Sequence, residues 1–337
     1  MEFRNYPLGV EIPIRPRRNR KSAGVRALVR ETLLSPGDFV LPLFFHDFEV
    51  DEAIESMPGC TRWSLESLVK EAGEALALGI PAVVLFPAIG ESLKTKGAEE
   101  SYNPEGLVPR AIRALKEAHP ELVVMTDVAL DPYNLDGHDG LVEEGEILND
   151  ETIEVLCKQA VSQAWAGADI VAPSDMMDGR VAALRDALDA AGFEKVSICS
   201  YTAKYASAYY GPFRGALGSA PKAGDKKTYQ LDPANRREAV RELMLDEAEG
   251  ADIVMVKPAG PYLDIISDLA EHASVPLAAY QVSGEYLMIK AAAKDGWVNE
   301  DAVMMESLMG IKRAGADLIL TYFAKRAAEI LRSSRVF

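Results

Sequence analysis

Three stretches, Gly167-Ala-Asp-Ile-Val-Ala-Pro-Ser174, Gly250-Ala-Asp-Ile-Val-Met-Val-Lys257 and Gly315-Ala-Asp-Leu-Ile-Leu-Thr-Tyr322, repeat one pattern. Each follows a helical stretch that ends in Ala-Gly or Glu-Gly, turns into a short β-branched apolar run, and finishes on polar residues. That is a helix closed by a C-terminal glycine, then a buried parallel strand, then a loop that carries function. The same grammar recurs at Phe39–Phe45, Ile80–Pro87, Leu122–Leu130, Val196–Lys204 and Val275–Ser283, which brings the strands to eight. Helical periodicity separates them. Between a Ser64 N-cap and Gly79, apolar residues fall at Leu65, Leu68, Val69, Ala72, Ala75 and Leu76. A second helix opens at Asp150 with Ile153, Leu156, Cys157, Ala160, Val161 and Ala164 on one face. Eight buried strands alternating with helices predict a (β/α)8 TIM barrel over residues 31–337, preceded by an extended arm over residues 1–30. A doubly wound open sheet is disfavoured because no Gly-x-Gly-x-x-Gly follows the first strand.

Bulk properties agree. The 337 residues are 48% hydrophobic and 26% charged, a globular composition long enough for one barrel. Cys60, Cys157 and Cys199 are an odd, dispersed set, which argues for reduced thiols. With no apolar leader core at the start, this gives a cytoplasmic expectation. No apolar run reaches membrane-spanning length, so no membrane association is expected. The net charge of −16 repels nucleic acid. Against that balance stand Arg15, Arg17, Arg18, Arg20 and Lys21, read either as a solvated arm or as one that docks on an acidic neighbouring subunit.

Two lysines, Lys204 and Lys257, close the fifth and sixth strands. A buried ammonium is costly, and two in one barrel mouth disfavour each other's charge. One amine should therefore be neutral near pH 7, which is what imine formation with a carbonyl requires. After the third strand come Asp127, Asp131, Asp136 and Asp139, with His138 among them. This is either a hard-cation site suited to magnesium rather than zinc, or a polar loop stabilised by Asx turns. Ser174 and Asp175 end the fourth strand, and Ser283 and Tyr322 end the seventh and eighth. Two long connections, Asp131–Asn149 and Gly211–Asn235, fall on the catalytic face. The second carries Tyr210, Phe213 and Arg214 at its start, then Lys226, Tyr229 and Gln230, and reads as a basic lid for a carboxylate substrate.

Together these segments resemble the porphobilinogen synthase (δ-aminolevulinic acid dehydratase) family. The likeness runs from Arg15-Pro-Arg-Arg to Thr321-Tyr322 and includes Ser56-Met-Pro-Gly59, Pro173-Ser-Asp-Met-Met-Asp-Gly-Arg180, Ala203-Lys-Tyr-Ala-Ser207, Tyr210-Gly-Pro-Phe-Arg214 and Val256-Lys-Pro258. The resemblance implies condensation of two 5-aminolevulinate molecules to porphobilinogen with loss of two waters. It implies that Lys257 holds the first substrate as a Schiff base and Lys204 engages the second. Arg214, Lys226 and Gln230 would grip the second carboxylate, Ser283 and Tyr322 the first, while Tyr210 and Phe213 wall the pocket. Asp127 and Asp139 are the implied catalytic carboxylates. Where zinc members carry three cysteines, this chain has Ala129, Asp131 and Asp139, so it looks like the aspartate-rich, magnesium-responsive branch with no zinc. Asp131 and Asp139 are candidate metal ligands or proton carriers. Glu242 matches the ligand of an allosteric magnesium at a subunit interface, which would give the basic arm a purpose in a homo-octamer. A class I aldolase on the same barrel is the alternative, but it needs one lysine. A non-catalytic, metal-responsive assembly protein is the third.

Overall fold

The three Gly-Ala-Asp repeats do structural work at both of their ends. Gly167, Gly250 and Gly315 take φ of +106°, +101° and +122°, a region that favours glycine. The following amides reach back five residues: Ala168 N to Gln163 O, Ala251 N to Asp246 O and Ala316 N to Ile311 O. These bonds close each helix as a Schellman turn. The aspartate then clamps the preceding strand twice. Asp169 N donates to Val124 O at 3.0 Å, while its Oδ2 accepts Val124 N at 2.8 Å. Asp252 makes the same reciprocal pair with Ile198 (3.0 and 2.8 Å), and Asp317 with Leu277 (2.7 and 3.0 Å).

The computed structural model describes residues 14–217 and 221–333, apart from the side chain of Arg214. Eight parallel strands form the barrel: β1 Phe39–Phe45, β2 Ala82–Pro87, β3 Val123–Val128, β4 Ile170–Pro173, β5 Ser197–Lys204, β6 Ile253–Lys257, β7 Leu277–Gln281 and β8 Leu318–Thr321. Each pairs with the next, and β1 closes on β8 through Phe39↔Ile319 and Val40↔Leu320. Every strand lies within a segment expected from sequence. One apolar cluster fills the barrel, with Phe44, Phe86, Met125, Tyr201, Met255 and Tyr280 among its members. A larger one packs the outer strand faces against the helices.

Several local features differ from the sequence expectation. The helix expected from Asp150 spans Asn149–Ala166, and its buried face includes Gln159 and Gln163 in place of the half-buried Ile153, Cys157 and Val161. Gln163 Oε1 accepts the Thr126 hydroxyl at 2.7 Å and its Nε2 donates to Asp127 O at 3.1 Å, while Gln159 Nε2 donates to Ala129 O at 3.3 Å. Two polar residues are thus buried because they satisfy carbonyls of the strand end that carries Asp127. The Asp131–Asn149 connection contains a small hairpin, Leu141–Glu143 with Glu146–Leu148. The second long connection opens as a helix, Gly211–Leu217. A strand at Thr61–Trp63 adds to the β1 edge and carries Glu52–Ala53.

In the arm, a 3-10 turn at Pro16–Arg20 and a helix at Ala23–Leu28 bury no residue. Arg15, Arg17, Arg18, Arg20 and Lys21 are all exposed, and Leu28 is 87% exposed. Residues 1–13 of the expected arm lie outside the described residues. No helix among the described residues is long and apolar enough to cross a membrane.

The aspartate clamps sit at three separate strand junctions, so their contributions should add. Replacing Asp169, Asp252 or Asp317 by Ala is expected to cost about 1 kcal/mol each. Asparagine, which keeps an acceptor oxygen, should cost less at each position. Urea unfolding monitored by circular dichroism checks both the size and the additivity.

Candidate active site

Strand geometry alone would not bring both lysines inward. On β6, Met255 faces the barrel interior, so Lys257 two residues on does too. On β5, Cys199 and Tyr201 face inward, and strict alternation would send Lys204 outward. The register shows what intervenes. Val254 pairs with Ser200, yet Val256 pairs with Ala203. Strand β5 therefore spends three residues where β6 spends two, which is a bulge. Past it, Ala203 packs in the outer layer and Lys204 lies opposite Lys257.

The two amines have different surroundings. Lys204 Nζ donates to Ser174 O and lies 3.5 Å from Asp139 Oδ1. Lys257 Nζ has no carboxylate at ion-pair distance among the described residues. It sits instead among four rings, with centroids at 4.4 Å (Tyr280), 4.9 Å (Tyr201), 5.2 Å (Phe213) and 5.5 Å (Tyr210). Burial, then the charge of Lys204, depress the Lys257 amine to about 7. The free, nucleophilic amine is thus accessible near neutral pH. The same ring faces would also receive the cation once an imine is protonated.

The carboxylates divide likewise. Asp127 Oδ1 is sealed from solvent with no hydrogen-bond partner among the described residues. Burial raises its carboxyl to about 7 against the opposing pull of Lys257. Burial would raise Asp139 as well, but Lys204 and Lys226 overcome it and hold Asp139 at about 2. Lys226 Nζ lies 3.1 Å from Asp139 Oδ2 and 3.6 Å from Asp131 Oδ2. One group can therefore exchange a proton near pH 7, and another stays charged.

Asp127, Asp131, Asp139, Ser174, Lys204, Tyr210, Phe213, Lys226, Gln230 and Lys257, all expected from sequence, line one cavity. Its volume is about 40 Å3. The segment over it must open to admit a keto acid. Ser283 and Tyr322, also expected from sequence, do not line the cavity but bond to Phe213 and Tyr280, two of the rings around Lys257. Ser283 Oγ accepts Phe213 N at 3.1 Å, and the Tyr322 hydroxyl meets that of Tyr280 at 2.9 Å. Arg214 lies on the Gly211–Leu217 helix, its side chain outside the described residues. Sequence reasoning missed Tyr201 and Tyr280. Their two-residue spacing from Cys199 and Ala278 along the inner faces was the available signal.

An ion held by Asp131 and Asp139 does not fit this arrangement. Their charges are answered by Lys226 and Lys204, and no cluster of three or more His, Cys, Asp or Glu residues gathers among the described residues. Asn134, moreover, organises the loop from within: its Oδ1 accepts Asp136 N at 3.0 Å and Gly137 N at 2.6 Å. The Asx-turn reading of that loop therefore describes it better than a cation site does. Glu242 lies elsewhere, in a cleft of about 670 Å3 shared with Asp178 and Glu238. Burial raises its carboxyl to about 7, with Arg180 opposing and Asp246 and Asp178 reinforcing the shift.

A (β/α)8 barrel with a buried lysine amine caged by aromatic rings and lowered toward neutral pH, and a second lysine beside it, defines an enzyme of Schiff-base chemistry. Comparison with known proteins narrows the class. The model of the delta-aminolevulinic acid dehydratase family matches residues 13–330. The chain is 59% identical over 328 residues to the chloroplastic delta-aminolevulinic acid dehydratase of Physcomitrium patens, covering 96% of this chain and 76% of that one. It is 61% identical over 320 residues to the chloroplastic delta-aminolevulinic acid dehydratase 1 of Arabidopsis thaliana, covering 94% and 74%. The crystal structure of the Toxoplasma gondii enzyme with its product porphobilinogen superposes at a TM-score of 0.93 and 55% identity, over 94% of this chain and 91% of that one. The chain belongs to the delta-aminolevulinic acid dehydratase family, hydro-lyases that condense two molecules of 5-aminolevulinate to porphobilinogen in tetrapyrrole synthesis.

One expectation is overturned. The chain was expected to be cytoplasmic, but the plant relatives are named chloroplastic. Unpaired thiols specify a reducing compartment and do not say which one.

The neutral form of Lys257 grows as pH rises, so kcat/KM should climb through about pH 7. In the Lys204→Met variant the neighbouring positive charge is gone, and the Lys257 titration, followed by NMR of labelled lysine, should move to higher pH. An unmoved titration would mean that burial alone sets it.

Proposed function

We propose that Lys257 carries the first 5-aminolevulinate and Lys204 the second, each as an imine, while the remaining residues hold carboxylates and move protons. The observation that supports this most is the pairing of Lys204 with Lys257 on neighbouring strands, both inward. The neutral Lys257 amine adds to the ketone of the first substrate, and the carbinolamine loses water. Lys204, 3.5 Å from Asp139, must be free of its proton before it can do the same. Asp127, poised near 7, is the group able to take it. Asp127 also suits removal of the last proton as the pyrrole becomes aromatic. Asp139, held near 2, acts as a standing counter-charge rather than a proton carrier. Each ketone oxygen leaves as water when its imine forms; the second substrate's enamine carbon then bonds to the imine carbon on Lys257, the first substrate's amino group displaces Lys204, and elimination frees Lys257, so two waters are the whole loss.

Lys226 and Gln230 face the cavity from the lid, and we assign them, with Arg214, to the second carboxylate. Ser283 and Tyr322 are assigned to the first. Ser174 anchors Lys204 through its carbonyl, and Tyr210 and Phe213 close the wall around Lys257. An aldolase would need a single amine and leaves Lys204 without a task.

Magnesium, rather than zinc, is the metal assigned to this chain. Its place is the cleft at Glu242, whose carboxylate oxygens suit a hard cation that keeps most of its water. There it would supply charge for subunit contacts. The active-site aspartates are assigned no metal step. The exposed basic arm, set against a chain of net charge −16, supports docking on an acidic neighbour in a homo-octamer.

Purified protein should convert 5-aminolevulinate to porphobilinogen, more slowly after chelation, with magnesium restoring the rate and zinc not. Glu242→Ala should retain the chelated rate and lose the magnesium response. Lys257→Met and Lys204→Met should each abolish product formation. An absolute metal requirement that survives Glu242→Ala would return the metal to Asp131 and Asp139.

A further inference from the structure

The lid segment that carries Lys226 and Gln230 is fastened to the aspartate loop by Lys222 N–H to Asp136 O at 3.0 Å, by the Lys226 ion pairs and by one buried imidazole. His138 Nε2 lies 2.9 Å from the carbonyl oxygen of Ala223. A carbonyl only accepts, so Nε2 bears the hydrogen, and in that tautomer Nδ1 accepts. The Tyr229 hydroxyl lies 3.0 Å from Nδ1. The same hydroxyl oxygen accepts the backbone N–H of Asp139 at 3.3 Å. The rings of His138 and Tyr229 meet edge to face at 6.0 Å. Ala223 stands three residues before Lys226 and Tyr229 three after it, so one ring grips the lid on both sides of its lysine. The next residue, Asp139, is the carboxylate that Lys226 meets at 3.1 Å. His138 itself lines a separate outer cavity with Val142, Ala223 and Thr228, not the one between the lysines.

We propose that His138 is a positioning residue for the reaction: the latch that holds the lid closed, with Lys226 and Gln230 over the two lysines, without touching substrate. Both its nitrogens are engaged by lid atoms, which leaves neither for proton transfer at the reacting carbons. The residue acts on how tightly the second substrate is held and on how often the lid opens. This rests on the assignment of Lys226 to a substrate carboxylate, but the latch can be tested without it.

The test uses the full-length assembled enzyme. Hydrogen–deuterium exchange of the substrate-free protein, read by mass spectrometry over residues 221–231, is paired with kcat and KM for 5-aminolevulinate. In His138→Ala, lid exchange should accelerate about tenfold and KM rise about tenfold, the scale of two ordinary hydrogen bonds, with kcat within about twofold. His138→Gln, which can restore the donor to Ala223, and His138→Asn, which can restore the acceptor for Tyr229, should each recover part of the lid protection. Tyr229→Phe removes one oxygen and should loosen the lid less. Combined with His138→Ala it should add little, because both act through one contact. Should His138→Ala fail to fold, Tyr229→Phe carries the test alone. Unchanged lid exchange, or a fall in kcat with KM intact, overturns the proposal. Faster exchange with no change in KM would preserve the latch and place the failure in the assignment of Lys226.

Discussion

Two lysine amines at paired positions on neighbouring strands set the condition to which the rest of the barrel mouth responds. Both cannot stay charged in an apolar mouth without compensation, and the structure treats them unequally. Lys204 is given a carbonyl and a carboxylate; Lys257 is given four aromatic faces and, among the described residues, no carboxylate at ion-pair distance. The inequality disfavours charge on Lys257, whose amine burial pushes down to about 7, and so makes it the nucleophile of the pair. The same logic separates the carboxylates. Asp127, sealed and short of partners, is raised, while Asp139, between two ammonium groups, is lowered. One burial constraint thus yields an attacking amine, a proton carrier and a fixed counter-charge within a single cavity.

The two ends of the barrel are built for different purposes. At the amino-terminal rim, aspartates of the Gly-Ala-Asp repeats bind neighbouring strands through paired hydrogen bonds that leave little freedom. At the opposite rim, the chemistry depends on side chains from strand ends and on a segment that must lift and return. A rigid base fixes the distance between Lys204 and Lys257, and the lid supplies Lys226 and Gln230 only when closed. Lys226 also occupies, as an ammonium, the position between Asp131 and Asp139 where a hard cation was conceivable from sequence. An internal cation of this kind needs no uptake from solution, and it can be drawn away by a substrate carboxylate.

Much of this was legible in the residues. The helix-closing glycine, the apolar run and the terminal polar residue marked three strands outright and guided the other five, because helix capping and burial are local effects written in consecutive positions. Lys204 and Lys257 stood out because a lysine closing an apolar strand needs a reason. Other features were hidden because they depend on register and on distant partners. The bulge that turns Lys204 inward appears only when β5 is aligned against β6. Gln159 and Gln163 looked solvent-facing until Thr126, Asp127 and Ala129 offered them partners across the helix–strand interface. Tyr201 and Tyr280 were unremarkable apolar-strand residues until the barrel closed them around one amine. The aspartate loop permitted two readings because spacing counts carboxylates but does not show that Lys226 lies among them.

The most direct test is borohydride reduction in the presence of 5-aminolevulinate near neutral pH, followed by peptide mapping of the adduct. The account predicts a reduced substrate adduct on Lys257 at low substrate, joined by one on Lys204 as substrate rises, since the neutral amine reacts before the charged one. An adduct that forms first on Lys204, or none on Lys257 in folded protein, would contradict it.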